Sequence, residues 1–257
     1  MVLELEIALL SRKGGRARNE DACGHWTSES GCCWVVSDGA GGHGGGDVAS
    51  RTAVASILRG FAGKPRVSPE VVQQLMAGAN EAIVAEQKTR SELHDMRATG
   101  AVLLIDRAAV QAVWGHLGDT RIYLLRDGRV HFQTRDHSVM QSMVEAGFGD
   151  VASLRRHPGR NMLLYALGSR EDFNPDITPA PVALQAGDVF LLCSDGFWDY
   201  VEEMDMLRTL RGAGNTEAWL AAMESILLGR ATGNHDNYTA VGVRVGVAPE
   251  HPRHPVT

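Results

Sequence analysis

Cys32-Cys33-Trp34-Val35-Val36-Ser37-Asp38-Gly39 is an apolar run that ends in Ser-Asp-Gly, and Val189-Phe190-Leu191-Leu192-Cys193-Ser194-Asp195-Gly196 reads almost the same. Each pattern predicts a buried strand that stops at a carboxylate and turns on a glycine. One Asp-Gly after a strand is ordinarily only a turn. Two of them, both after wholly apolar runs and both preceded by serine, point further. Asp236 precedes another apolar run, 238–245, and Asp21 closes Arg18-Asn19-Glu20-Asp21. Carboxylates held at the ends of rigid strands are what a site for hard divalent cations requires. Magnesium and manganese take oxygen ligands, keep several waters, and need few, well-placed acids. The spacing predicts a multi-metal hydrolase rather than a binding module.

The chain has 257 residues and a formal net charge of −6. Nothing resembling a linker divides it, so the expectation is one domain over 1–247 with a short tail at 248–257. The acidic balance argues against a nucleic-acid surface, which is normally basic. The cysteines are Cys23, Cys32, Cys33 and Cys193, with no CxxC pair. They read as reduced, buried thiols of a cytoplasmic protein. The opening 2–9 alternates apolar and charged residues, which is a strand with one wet face rather than a signal peptide. No apolar run approaches membrane-spanning length.

Strands are predicted at 2–9, 32–37, 101–106, 110–117, 121–126, 129–133, 188–193 and 238–245. Asp127-Gly128 between two of them is a hairpin signal. Helices are predicted at 47–58, with Val48, Ala55 and Leu58 inward, and at 69–88, 138–146, 202–210 and 217–228, the last behind an Asn215-Thr216 cap. Strands arrive in consecutive groups with helices inserted as pairs. The fold class is therefore α+β, with antiparallel sheets and helices packed outside.

Six of the eight residues 39–46 are glycine. The match to a dinucleotide fingerprint fails, because no regular βαβ unit and no later acid accompany it. No Gly-Lys-Ser/Thr closes it as a P-loop either. What remains is a close approach of the backbone after Asp38, where the Gly39 carbonyl can serve as an oxygen ligand. Arg12 to Arg18 reads either as a solvated basic patch or as a planar fork for an anion. Asp119 in Gly118-Asp119-Thr120-Arg121 reads equally as a turn residue. Asp136 or Ser138 is a helix-capping candidate, and for Asp136 and His137 structural and functional readings stand level. His43, His116 and His235 do not form a zinc spacing.

Taken together these pieces resemble the metal-dependent protein serine/threonine phosphatases of type 2C, in the bacterial soluble form. Arg16-Ala17-Arg18-Asn19-Glu20-Asp21 is similar to the family's opening Arg-x-x-Asn-Glu-Asp, and 37–43 to its metal-bridging Asp-Gly motif. Gly118-Asp119-Thr120-Arg121, Arg135-Asp136-His137-Ser138, His157-Pro158-Gly159-Arg160-Asn161, Ala166-Leu167-Gly168, 194–199 and Asp236-Asn237 follow in family order. The resemblance implies a central antiparallel β-sandwich flanked by helix pairs, four layers α-β-β-α, with a flap at roughly 138–168.

It also implies two Mn²⁺ or Mg²⁺ ions. Asp38 would bridge them, the Gly39 carbonyl, Asp195 and Asp236 would complete the set, and Asp21 would hold metal-bound water. Bacterial relatives often bind a third ion, for which Asp119 matches the acid used. Arg16 matches the phosphate-binding arginine. The implied reaction is hydrolysis of phosphoserine and phosphothreonine by direct attack of a metal-bridging water, with Arg16, Asp38, Asp195 and Asp236 as catalytic residues. Implied partners are phosphorylated proteins, including a cognate serine/threonine kinase, with no nucleic acid and no membrane, and the chain a monomer. A short form of this kind also resembles the phosphatases that accompany kinases in bacterial type VI secretion clusters. Two departures stand out: Ala40 occupies a place where some relatives carry histidine, and Ala98-Thr99-Gly100-Ala101 replaces the usual Gly-Thr-Thr. The competing readings are a non-catalytic phosphoprotein-binding member of the fold and a two-metal nuclease.

Overall fold

The computed structural model describes residues 2–40, 44–89, 91–148, 159 and 161–248. Two antiparallel sheets carry the architecture. The first has the order β1-β13-β12-β8-β9, with β1 at Val2–Arg12, β13 at Tyr238–Ala248, β12 at Val189–Cys193, β8 at Arg121–Arg126 and β9 at Arg129–Gln133. The second has the order β10-β7-β6-β3-β2, with β10 at Asp176–Ile177, β7 at Gln111–Leu117, β6 at Gly100–Asp106, β3 at Gly31–Ser37 and β2 at Ala22–Thr27. β11 (Val182–Ala183) also pairs with β7, and β4 (Gly39–Ala40) pairs with β5 (Arg97–Ala98). The helices are α1 (Gly46–Gly63), α2 (Pro69–Glu86), α3 (Val139–Glu145), the single turn α4 (Asp195–Trp198), α5 (Glu203–Gly212) and α6 (Thr216–Arg230).

Three apolar clusters order these elements. Trp34, Val36 and Leu103 of one sheet meet Phe190, Leu192 and Val243 of the other in a fully buried cluster. Cys33, Val35 and Leu104, on the opposite side of their strands, pack with Ile57 and Phe61 of α1 and Met76 and Ile83 of α2. Tyr123, Leu191 and Cys193 pack with Met206 of α5 and Trp219 and Met223 of α6. Successive strand residues face opposite ways, so a strand apolar on both faces is one covered on both. That is why β3 and β12 are continuous apolar runs, and it is compatible with the expected α-β-β-α layering.

Local signals hold in most places. Ser68, Ser138 and Asn215 cap α2, α3 and α6, each accepting a backbone N–H with its side chain. Asp127 and Gly128, both at positive φ, turn β8 into β9 as the two-residue hairpin requires. Asp136 does not cap; Ser138 does. Val110, expected to open a strand, sits at φ 55 in the β6–β7 turn, where the Asp106 carboxylate accepts from the amides of Ala108 and Ala109. Ala55 faces solvent, and the buried positions of α1 include Ala49, Ala53, Ile57 and Phe61. β2, β4, β5, β10 and β11 were not legible: β2 is a half-exposed edge strand, and the others are two residues long. Among the described residues no helix is long and apolar enough to cross a membrane. The four cysteines form no disulfide, and three are buried. The tail past Ala248, and 149–158 with Arg160 within the expected flap, lie outside the described residues.

Candidate metal centre

Antiparallel register brings the predicted acids to one end of the sheets. Ala22 pairs with Ser37, which sets Asp21 beside Asp38. Cys193 pairs with both Arg121 and Ala240, so Asp195 lies across from the β7–β8 turn carrying Asp119 and from the segment carrying Asp236. A cavity of about 270 Å³ is lined by Arg16, Asp38, Gly39, Asp119, Asp195 and Asp236, together with Glu20, Thr99, Asn161 and Asn237. Asp21 is buried behind it.

The two Ser-Asp-Gly stretches diverge after the carboxylate. After Asp38 the chain continues extended into β4, whereas Asp195 opens the helical turn α4. Their glycines serve one purpose, close backbone approach. A Cβ on Gly39 would lie 2.0 Å from the Gly46 carbonyl oxygen, and one on Gly196 would lie 2.0 Å from that of Asn237. Gly39 thus packs against Gly46, and Gly45 caps α1 at φ 95. Gly41, Gly42 and His43 lie outside the described residues.

Hydrogen bonds fix the acids from behind. Ser194 Oγ donates to Asp21 Oδ2 at 2.8 Å and accepts from the Thr239 amide at 3.0 Å. Thr99 Oγ1 accepts from the Asp38 amide at 2.9 Å, and the Thr99 amide donates to the Asp38 carbonyl at 2.8 Å. Thr99 Oγ1 also bonds Thr120 Oγ1, joining the Asp38 and Asp119 turns. Asn237 ties the opening loop to β13: its side chain accepts from the Glu20 amide and donates to the carbonyls of Lys13 and Arg18, each at 2.8 Å. Trp198 Nε1 donates to the Asp119 carbonyl at 2.9 Å. The Trp198 ring lies 3.5 Å from the Arg121 guanidinium carbon, and Arg121 forks onto Asp136 at 2.7 and 2.8 Å. Asp136 is therefore structural. The sequence marks Ser194, Trp198 and Thr99 only as members of motifs; the hydrogen bonds give each its supporting role.

Electrostatically the acids are frustrated. Burial, then repulsion by Asp21, Asp195 and Asp119, pushes the Asp38 carboxyl well above the usual range. Burial, then Asp195 and Asp136, does the same to Asp119. Burial, with Asp199 and Asp236 adding repulsion, raises Asp195 to about 7. Asp21 rises to about 6, mainly by burial and against the hydrogen bond from Ser194, and its Oδ1 has no hydrogen-bond partner. Oxygen donors only, several of them buried and mutually repelling, with one orphaned carboxylate oxygen, fit hard divalent cations. Arg16, expected to bind phosphate, donates to Asp236 Oδ2 at 2.7 Å, and both side chains are exposed.

Residues 11–227 match the family model for protein phosphatase 2C. The chain belongs to the protein phosphatase 2C family. Protein phosphatase PhpP of Streptococcus pneumoniae is 29% identical over 202 residues, 77% of this chain and 80% of that one. The catalytic domain of the serine/threonine phosphatase PstP, solved in complex with two manganese ions, superposes with a TM-score of 0.80 at 29% identity, covering 95% of this chain and 100% of that domain. PppA of Pseudomonas aeruginosa, described as a key regulatory component of the type VI secretion system, superposes at 0.76 with 27% identity over 95% of this chain and 99% of its own. This phosphatase-2C chain is thus similar to bacterial serine/threonine phosphatases along nearly its whole length.

Proposed function

We propose that this protein is a metal-dependent phosphatase that hydrolyses phosphoserine and phosphothreonine on proteins. The observation that carries the reading is the convergence of Asp38, Asp119, Asp195, Asp236 and Arg16 on one cavity. Asp38, the Gly39 carbonyl, Asp195 and Asp236 would hold two Mn²⁺ or Mg²⁺ ions, with Asp21 behind them and Asp119 available to a third. Bound ions of this kind lower the pKa of a water and neutralise charge on phosphoryl oxygens. Arg16 supplies a planar fork for the phosphate at the cavity mouth. The carboxylates that line the cavity are placed to hold cations, which supports direct hydrolysis by a metal-bridging water without a phosphoenzyme.

The non-catalytic alternative is disfavoured because Asp38, Asp119, Asp195 and Asp236 all line one cavity. The nuclease alternative is disfavoured by the net charge of −6. Substrates are phosphorylated proteins. A cognate kinase as partner, a monomeric state, a single domain over 1–247 and a cytoplasmic location extend the reading, and the likeness to PppA makes a type VI secretion setting the context to examine first. The test is turnover of a phosphothreonine peptide with Mn²⁺ by the wild type and by Asp38→Ala, Asp195→Ala and Asp236→Ala. Each variant should lose nearly all activity while keeping the wild-type circular dichroism spectrum. Wild-type turnover in any of them at saturating Mn²⁺ removes that residue from the centre, and turnover of DNA instead of phosphopeptide replaces the reading.

A further inference from the structure

A second group of ligating side chains lies outside the aspartate cavity. One ligand atom each from His116 of β7, His137 of the β9–α3 connection and Asp176 of β10 lies within 4.8 Å of the other two. β10 pairs with β7 so that Asp176 stands directly opposite His116. The histidine rings are stacked with centroids 4.6 Å apart, and His137 Nε2 is 3.2 Å from Asp176 Oδ2. Around a tetrahedral ion with bonds of about 2.0–2.1 Å, neighbouring ligand atoms stand about 3.3 Å apart. The 3.2 Å separation of His137 Nε2 and Asp176 Oδ2 matches this, and the third ligand atom lies within 4.8 Å of both.

Hydrogen bonds set the nitrogens. His116 Nε2 faces the Arg135 carbonyl at 2.7 Å, an acceptor only, so Nε2 carries the proton and Nδ1 the lone pair. Its orientation is thus held by a backbone carbonyl, as is usual for metal-ligating histidines. His116 is neutral at physiological pH, since burial and then His137 hold it down to about 4. A cavity of about 260 Å³, lined by Trp114, His116, Phe132, Arg135, Asp176 and Ile177, opens onto the group and provides an entry path.

We propose that His116, His137 and Asp176 form a separate cation site of the zinc class. Two imidazoles and one carboxylate are borderline ligands that select Zn²⁺ or Co²⁺ over Mg²⁺, the opposite preference to an oxygen-only centre. Binding has a structural consequence. His137 Nδ1 accepts from the Gly118 amide at 3.3 Å, so its proton resides on Nε2, toward Asp176. When Nε2 ligates, the ring keeps one N–H, and that proton moves to Nδ1, where it opposes the Gly118 amide. Gly118 precedes Asp119, so occupancy of this site reaches the turn that carries Asp119.

The test uses Co²⁺ as a spectroscopic probe, added to the full chain after chelation and return to excess Mg²⁺, which occupies the oxygen-only centre. The expected result is one Mg²⁺-resistant Co²⁺ per chain with the intense visible absorption of nitrogen-containing, low-coordinate cobalt. Asp176→Ala, an exposed position that tolerates truncation, should weaken that binding by at least the about 10–100-fold that even a supporting group contributes. His116→Gln should do the same, and Asp38→Asn should leave it intact. Co²⁺ uptake that excess Mg²⁺ abolishes, or uptake in Asp176→Ala indistinguishable from wild type, overturns the site. Neither outcome depends on whether the chain dephosphorylates proteins.

Discussion

Arg16 Nη2 donates to Asp236 Oδ2 at 2.7 Å, joining residues 220 positions apart in sequence. One guanidinium therefore stands against a carboxylate that cation binding would recruit, and beside the cavity where phosphate would sit. Arg16→Ala removes a positive charge from the neighbourhood of the acids. It should tighten Mn²⁺ binding in calorimetric titrations and raise KM for a phosphopeptide more than it lowers kcat, provided the arginine binds ground and transition states alike. Weaker Mn²⁺ binding with unchanged KM would mean that Arg16 supports Asp236 instead. A large effect from Arg18→Ala alone would shift the alignment of the opening motif by two residues.

The burial and crowding of Asp38 predict opposite effects of one substitution on stability and on activity. Its folded carboxyl lies well above its unfolded value, so the folded, metal-free protein binds the proton more tightly than the unfolded chain. Stability then falls as pH rises from the unfolded value toward the folded one. Asp38→Asn should raise the Tm of chelator-treated protein at pH 8 by about 2–4 °C, on the order of 1 kcal/mol. The gain should vanish near pH 4, and activity should be lost at every pH. A lower Tm for the variant at pH 8 would contradict the frustration of the cluster.

Asp119 is buried, but its carbonyl is held by Trp198 and its turn by Thr120. Asp119→Ala should leave two tight Mn²⁺ per chain while lowering turnover of phosphopeptides. Trp198→Phe, which removes the donor to the Asp119 carbonyl, should produce a weaker version of the same phenotype and raise the Mn²⁺ concentration for half-maximal rate. Normal rates in both variants would leave Asp119 a turn residue, whose loss costs about 1 kcal/mol of stability and no chemistry.

Arg121 and Asp136 are both about 5% exposed and paired through two hydrogen bonds. Removing one partner strands a buried charge. Asp136→Ala should destabilise the fold by about 3–5 kcal/mol in urea unfolding, and Arg121→Met by a similar amount. The double variant Arg121→Met/Asp136→Leu should recover most of the loss. Additive single effects would show that the pair is not coupled as drawn.

Sequence alone determined the strands that are apolar on both faces, the Asp127-Gly128 hairpin, the Asn215 cap, and the acids at the ends of strands. Each is dictated by a period, a turn geometry or an orphaned amide within a few residues, so each is local physics. Tertiary structure decided what no local pattern encodes. It gave Asp136 a buried guanidinium instead of a helix cap and set Arg16 against Asp236. It turned Ala55 outward, because the stripe of α1 that meets β3 runs through Ala53 and Ile57. It joined His116, His137 and Asp176, which no zinc spacing announced, because antiparallel register puts β10 against β7 across some sixty residues. Register fixes which distant side chains meet, and it follows from how whole apolar faces find each other rather than from any single stretch of sequence.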